Sequence, residues 1–234
     1  MSLTLLYDSG PCYVVAKPAG LLTQAPPGID SLEARMKDFL RQREQKEGNL
    51  YLGVPHRLDR PVSGAIVLAR HARATRRLSE QFEARTVRKK YWACVSGPVP
   101  EPEGVWRDFI RKIPGEARGE IVPADHPEAR EAVLRYRTLG ETAHGAWLEI
   151  ELETGRMHQI RIQVAARGCP VLGDKLYGAT IPFGEQHEDA RLMAIALHAR
   201  VLAFSHPMTL EPVSVIAPLP ENWHGLVDEA TTRA

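Results

Sequence analysis

The sequence predicts the α+β class, with a mixed and mainly antiparallel sheet and flanking helices. Short apolar or alternating segments typical of strands recur along most of the chain, whereas three segments have the spacing or boundary residues of a helix. No internal repeat and no low-complexity linker interrupts this order. We therefore expect a single α+β domain over residues 1–234.

The N-terminal part is predicted to contain two strands and two helices. Ser31 can cap the first helix, because its hydroxyl can accept a hydrogen bond from a backbone N–H of the first turn. The second helix places Leu78 and Phe82 inward and most of its arginines outward. The elements are a strand over 12–16, a helix to about residue 45, a strand over 65–69 and a helix over 72–84.

The C-terminal part is predicted to contain further strands and one helix. Residues 157–167 are ambiguous, because 160–164 alternate like a strand while Gly168 and Pro170 can end a helix. A helix is preferred, with Ile160 and Val164 packed inward. The other segments are strands over 91–95, 132–138, 146–152 and 194–204, and a hairpin with loop over 101–128.

Composition excludes several classes of protein. Hydrophobic residues make up 44% and charged residues 25%, as in ordinary globular proteins. No apolar run approaches the roughly 20 residues of a membrane span. The N-terminus lacks signal and transit peptide features, which predicts a cytoplasmic location. The three cysteines lie far apart without matching histidine spacing, so we expect neither disulfides nor a metal site.

The formal net charge is +1, but positive charge is concentrated in one stretch. Between Arg70 and Lys90 only Glu80 and Glu83 oppose it. Such a stretch is either a solvated helix face or a phosphate-binding surface. Its basic residues are Arg73, Arg76, Arg77, Arg85, Arg88 and Lys89.

Two polar motifs interrupt apolar sequence. Residues 56–64, His-Arg-Leu-Asp-Arg-Pro-Val-Ser-Gly, place Asp59 between Arg57 and Arg60. Nearby positive charge favours an ionised carboxylate, which can act as a nucleophile or a base. Taken alone, such a turn is more often a structural ion pair. The second motif, residues 155–161, reads Gly-Arg-Met-His-Gln-Ile-Arg and ends at Arg161.

Together the motifs resemble the signature pair of the RluA-type pseudouridine synthases, which isomerise uridine within RNA. Four further segments, at 14–21, 90–97, 170–178 and 197–199, also resemble the family and occur in the family order. The resemblance therefore spans about residues 11 to 207. It implies the pseudouridine synthase catalytic fold. It also implies a reaction without cofactor or metal, because substrate and product have the same atoms and oxidation state. We expect no N-terminal RNA-binding accessory domain.

The resemblance also implies roles for individual residues. Asp59 matches the catalytic aspartate, and Arg161 matches the arginine expected to pair with it. Tyr91 matches the tyrosine that stacks on the target base, and Ile160 an apolar residue beneath that base. Arg57 matches the residue that approaches the position vacated when the base is flipped. Whether the aspartate attacks the anomeric carbon or removes the 2′ proton stays open.

The expected partner is structured RNA, either tRNA or rRNA, with no membrane or protein partner and a monomeric state. Two departures from the family pattern, Val62 for threonine and Gln163 for histidine, do not touch the proposed chemistry. The residues expected to contact phosphates are Arg73, Arg76, Arg77, Lys89 and Lys90.

Two other functions are compatible with parts of the sequence. An RNA-binding or chaperone protein of the same fold without catalysis is one, although Asp59, Tyr91 and Arg161 together argue against it. A carboxylate-dependent hydrolase of free nucleosides is the other. It needs a second acid with a raised pKa, for which the sequence offers no obvious candidate.

Overall fold

The computed structural model describes residues 3–45 and 47–228. Within them the strands pair mainly antiparallel and three α-helices accompany them, so the predicted α+β class is confirmed. No helix in these residues is long and apolar enough to cross a membrane. The elements are β1 (Thr4–Ser9), β2 (Cys12–Lys17), α1 (Leu32–Glu44), β3 (Ser63–Ala69), α2 (Ala72–Glu83), β4 (Arg88–Cys94), β5 (Glu103–Lys112), β6 (Gly119–Ile121), β7 (Arg130–Thr142), β8 (Gly145–Leu152), α3 (Gln159–Ala165), β9 (Leu197–Ser205) and β10 (Pro212–Ile216).

The chain divides into two compact units. Among the described residues, unit 1 comprises 3–45, 47–89 and 199–218, and unit 2 comprises 90–198 and 219–228. Unit 1 contains the motif at 56–64, and unit 2 contains the motif at 155–161. The expectation of a single domain over the whole chain stays a prediction.

The strands of unit 1 surround a core that α2 completes. β2 pairs antiparallel with β1 and with β3, β9 lies beside β3, and β10 pairs antiparallel with β9. β3 is buried along its whole length, which explains its continuous apolar sequence. Leu78 of α2 is fully buried in this core, and Phe82 packs against it. Burying a leucine side chain contributes about 1.5–3 kcal/mol.

Helix α1 forms where its boundary residues predict it. The Ser31 side chain accepts a hydrogen bond from the Ala34 N–H at 3.2 Å, and Gln45 ends the helix in the left-handed conformation. The capped helix is anchored by one apolar face. The residues of that face are Leu32, Met36 and Leu40, all of which are buried.

Gly64 marks the point where the first motif enters β3. Its φ is +125°, a conformation that residues with a side chain rarely adopt. A Cβ atom at this position would lie 2.4 Å from the carbonyl oxygen of Ala199. Both the backbone conformation and the close approach of β9 therefore require glycine.

The strands of unit 2 follow the order β4, β8, β7, β5, β6, and every neighbouring pair is antiparallel. The prediction of only a hairpin and loop over 101–128 was incomplete, because β5 is a ten-residue strand paired with β7. Only Trp106 and Ile110 of β5 are buried, so the alternation typical of strands is weak. Arginines on β5 pair with acidic residues of neighbouring strands instead, as Arg111 does with Glu120 of β6.

Residues 157–167 contain α3, which confirms the preference for a helix. Every residue from Gln159 to Val164 is buried, so the helix has no exposed polar face. Arg161 is only 4% exposed, although it lies next to the inward-facing Ile160 and could have faced solvent. β9 begins at Leu197, three residues later than predicted.

Candidate active site

Asp59 lies in the turn that leads into β3. Leu58 and Val62 on either side are buried, whereas Asp59 itself is half-buried and Arg57 is exposed. The Val62 N–H donates to the Asp59 carbonyl oxygen at 3.1 Å and closes the turn. The apolar neighbours thus anchor the turn while the carboxylate stays within reach of solvent.

A segment that follows β2 holds this turn on both sides of Asp59. On the C-terminal side, the Gly20 N–H donates to the Arg60 carbonyl oxygen at 2.8 Å, and Arg60 Nε donates to the Gly20 carbonyl oxygen at 2.9 Å. On the N-terminal side, the Thr23 hydroxyl bonds the backbone of Leu58. The position of Asp59 is therefore fixed by residues about 35 to 40 positions earlier in the chain.

Lys17, the last residue of β2, supports the same turn from inside unit 1. It is 1% exposed, and its Nζ donates to three backbone carbonyls. Burial lowers the pKa of Lys17 to about 7, while the negative charge of Asp59 acts in the opposite direction. Sequence reasoning did not assign Lys17 a role, although a lysine that ends a buried strand was a usable signal. The acceptors are the carbonyl oxygens of Pro18 at 2.9 Å, Leu21 at 2.8 Å and Arg60 at 3.2 Å.

His56, the first residue of the motif, fastens the turn to α2 and β3. Its ring stacks on Phe82 with centroids 4.3 Å apart, and its Nε2 accepts the Val67 N–H at 3.0 Å. Burial, followed by the charge of Lys89, lowers the pKa of His56 to about 3. His56 is therefore neutral at physiological pH and acts as a structural acceptor.

The arginines of α2 differ in their surroundings. Arg73 and Arg76 are exposed, and the Arg76 side chain lies 3.7 Å from Glu80 with 73% of its surface accessible. Arg77 is half-buried and donates to the Pro207 carbonyl oxygen at 2.7 Å. Arg77 thus ties α2 to the turn between β9 and β10, whereas the other two are presented to solvent.

Two adjacent lysines of β4 are also half-buried. Burial, followed by the charge of Arg85, lowers the pKa of Lys89. Lys90, in unit 2, forms an ion pair of 2.7 Å with Glu149, which Arg137 contacts at 3.0 Å. The charge of Lys90 is thus balanced within the sheet.

Tyr91 follows on β4, opposite Ile150 of β8, and is half-buried. Its neighbour Trp92 is 5% exposed and packs edge-on against Trp147 with ring centroids 4.8 Å apart. Because successive side chains of a strand point to opposite faces, Tyr91 lies on the face opposite Trp92. This leaves an aromatic ring partly accessible on one side of the sheet.

Arg161 of α3 forms a bidentate ion pair with Asp174. Its Nε donates to Oδ2 at 2.7 Å and its Nη2 to Oδ1 at 2.8 Å, and both side chains are at most 5% exposed. The guanidinium also lies 5.0 Å from the ring centre of Tyr177. Sequence reasoning missed Asp174, although it lies within segment 170–178, which contributed to the family resemblance.

Tyr177 connects this ion pair to the start of α3. Its hydroxyl accepts the Gly119 N–H at 3.0 Å and lies 2.9 Å from His158 Nδ1. His158 immediately precedes α3 with a φ of +55°. Gln159, the first helical residue, is held by the Thr154 hydroxyl at 2.7 Å.

The predicted residues are thus divided between the two units. Unit 1 presents a carboxylate on a firmly bonded turn, together with exposed arginines. Unit 2 presents a partly accessible tyrosine and a buried guanidinium held in one orientation, with Ile160 beside it and 4% exposed. Among the described residues there is no group of three or more His, Cys, Asp or Glu side chains that could hold a metal ion.

Comparison with known families identifies the chain. Residues 11–166 match the family model described as RNA pseudouridylate synthase. An uncharacterized RNA pseudouridine synthase of Synechocystis is 34% identical over 96% of this chain and 68% of its own length. The ribosomal large subunit pseudouridine synthase D of Xylella fastidiosa is 34% identical over 94% of this chain and 67% of its own length. The tRNA pseudouridine synthase C of Haemophilus ducreyi is 29% identical over 98% of this chain and 96% of its own length.

Solved structures agree on the fold. Human RNA pseudouridylate synthase domain containing 4 superposes with a TM-score of 0.76 at 24% identity, covering 94% of this chain and 92% of its own. Human RNA pseudouridylate synthase domain containing 1 gives a TM-score of 0.70 at 25% identity, covering 94% and 84%. The chain therefore belongs to the RNA pseudouridylate synthase family, the enzymes that convert uridine in RNA to pseudouridine.

Proposed function

We propose that Asp59 is the catalytic carboxylate with which this enzyme isomerises uridine in structured RNA. The observation that carries this proposal is the bonding of the turn, in which both Leu58 and Arg60 are tied to residues 20–23. A reacting group needs such a fixed backbone, because catalysis depends on near-attack geometry. Tyr91 is proposed to stack on the target base, and Arg161 to supply positive charge. The pairing of Arg161 with Asp59 stays a prediction from the family resemblance.

The reaction detaches uracil from ribose and rejoins it through carbon. Asp59 either attacks the anomeric carbon or removes the 2′ proton, and both routes place negative charge on the departing uracil. A cation or hydrogen-bond donor stabilises that charge most when it is held in place before the reaction. The buried pair with Asp174 restricts the guanidinium of Arg161 to one orientation, which suits it for this role.

The RNA substrate is proposed to be rRNA or tRNA, the substrates named for the relatives from Xylella fastidiosa and Haemophilus ducreyi. An enzyme that acts on a base within folded RNA must extrude it, at a cost of a few kcal/mol. Arg57 is exposed and can donate to or stack in the vacated position. We propose that the protein acts in the cytoplasm as a monomer.

Phosphate contacts are assigned first to Arg73 and Arg76, because both are exposed on α2. Arg77 and Lys89 are proposed to contribute through longer-range charge, whereas Lys90, whose charge Glu149 balances, is proposed to contribute least. Arg76→Gln is expected to weaken binding to all RNAs. The slope of log affinity against log salt concentration should decrease by about one, the value for one lost phosphate contact. Filter binding from 50 to 200 mM salt measures this effect. An unchanged slope would show that Arg76 is only solvated.

The matched control for this binding experiment is Arg43→Gln. Arg43 is also an arginine of unit 1, but it pairs with Asp8 at the end of α1, outside the basic stretch. Its salt slope should equal that of the native protein. A reduction in both variants would mean that net charge, and not the position of Arg76, governs binding.

The catalytic proposal is tested by tritium release from RNA labelled at uracil C5, because isomerisation replaces the C5–H bond. Total RNA from cells lacking the gene supplies unmodified sites. The native protein should release tritium and Asp59→Asn should not, while RNA binding and circular dichroism stay unchanged. Asp38→Asn, which changes an exposed aspartate of α1, should retain release. No release from any protein, with RNA binding intact, would favour a non-catalytic RNA-binding protein of this fold.

A further inference from the structure

The turn that carries Asp59 is held by a side chain that lies outside both polar motifs. Thr23 is 4% exposed, and its Oγ1 donates to the Leu58 carbonyl oxygen at 2.9 Å. The same oxygen accepts the Leu58 N–H at 3.2 Å. One hydroxyl therefore satisfies both backbone polar groups of the residue directly before Asp59. Leu58 is 6% exposed, so without the hydroxyl both groups would be left unpaired in the interior.

Thr23 is itself fixed by the first turn of α1. The Leu22 carbonyl oxygen accepts the Leu32 N–H at 2.8 Å, and the Thr23 carbonyl oxygen accepts the Glu33 N–H at 3.1 Å. These N–H groups belong to the set that the start of a helix leaves without an intrahelical partner. The backbone of Thr23 is thus docked on a packed helix, while its side chain holds Leu58.

The two sides of the turn are held differently. Arg60, after Asp59, is bonded through Lys17 Nζ and the backbone of Gly20. Leu58, before Asp59, is bonded through the hydroxyl of Thr23. A substitution at Thr23 can therefore release the N-terminal side of the turn without removing the bonds on the other side.

We propose that Thr23 is a positioning residue for the reaction, which fixes the direction of the Asp59 carboxylate by holding Leu58 against the start of α1. The inference rests on the proposed catalytic role of Asp59. Loss of the hydroxyl frees the Leu58 peptide groups and lets the turn shift. A displacement of about 1 Å in a reacting group can lower the rate on the order of 100-fold.

The test compares Thr23→Val with Thr23→Ser. Valine has nearly the shape of threonine but no hydroxyl, whereas serine retains the hydroxyl. In tritium release, Thr23→Val should lower kcat about 10- to 100-fold and change KM by less than about twofold. Thr23→Ser should restore kcat to within about threefold. Hydrogen exchange of the Leu58 amide should be faster in the valine variant and close to native in the serine variant.

A stability control separates positioning from general destabilisation. Val215→Ala removes side-chain volume from the core of the same unit, on β10, and leaves the turn untouched. All rates are measured at a temperature where each variant is fully folded by circular dichroism. Val215→Ala should keep native kcat although it unfolds at a lower temperature.

Three results of these measurements would contradict the proposed role of Thr23. A native kcat in Thr23→Val, with an active native enzyme, overturns the positioning role and leaves the role of Asp59 intact. An equal loss of kcat in the serine and valine variants overturns it too, because the hydroxyl would then not be the group that matters. Absence of release by the native protein overturns the proposed catalytic function and this inference with it.

Discussion

The buried amine of Lys17 makes the stability of this protein depend on pH in a predictable way. Burial lowers its pKa from 10.5 to about 7. Between these values the unfolded chain binds a proton that the folded lysine has lost, so the free energy of unfolding rises with increasing pH. At 1.36 kcal/mol per pKa unit, the full window corresponds to about 5 kcal/mol. Lys17→Met removes this contribution.

The range from pH 6 to pH 9 is experimentally accessible and covers about half of the effect. Within it, Lys17 should contribute an increase of about 2.5 kcal/mol in the free energy of unfolding. Urea unfolding of the native protein and of Lys17→Met at both pH values measures the difference between their pH dependences. Titration of the histidines is common to both proteins and cancels in that comparison.

Lys37→Met provides the matched control, since Lys37 is a lysine of α1 whose side chain is 26% exposed. Its pH dependence between pH 6 and 9 should match that of the native protein. The same pH dependence in Lys17→Met as in the native protein would refute the reasoning. Such a result would mean that the three carbonyl acceptors and Asp59 hold the ammonium against the cost of burial.

Three other substitutions test separate parts of the structure by urea unfolding. Gly64→Ala should lower the free energy of unfolding by about 3 kcal/mol or more, because the alanine would have a strained φ and its Cβ would collide with Ala199. A decrease of less than about 0.5 kcal/mol would contradict this. Between pH 6.5 and pH 4.5 the free energy of unfolding of the native protein should fall by about 2 kcal/mol, and this decrease should largely disappear in His56→Gln. The sign follows because folded His56, with a pKa of about 3, stays neutral while the unfolded histidine gains a proton. Asp174→Asn should lower the free energy of unfolding by about 3–5 kcal/mol, because the buried guanidinium of Arg161 loses the negative charge of its bidentate partner. Near-native stability would contradict this expectation.

Local sequence patterns predicted most of the secondary structure, because their signals lie within a few residues. Ser31 precedes a regular apolar spacing, and α1 begins and ends where these residues indicate. β5 was missed as a full strand because only two of its ten residues are buried. The alternation that marks a half-buried strand was therefore too weak to recognise.

The contacts that support the candidate site could not be predicted in this way. Thr23 and Leu58 are 35 residues apart, and no local pattern relates a threonine hydroxyl to a distant backbone. Arg161 was singled out by the family motif, but its partner Asp174 lies beyond the helix and the turn that follow. The family resemblance thus indicated the candidate reacting groups, whereas the groups that orient them depend on how distant segments pack.

The supports of the Asp59 turn have opposite requirements for a proton. Lys17 must be protonated to donate to three carbonyls, because a neutral amine has only two hydrogens. His56 must be neutral to accept the Val67 N–H. With folded pKa values of about 7 and about 3, both conditions hold between these limits. Above pH 7 the free energy of unfolding increases while one of the three carbonyl acceptors of Lys17 loses its hydrogen bond. The stability of the fold and the number of hydrogen bonds that Lys17 donates therefore respond to alkaline pH in opposite directions.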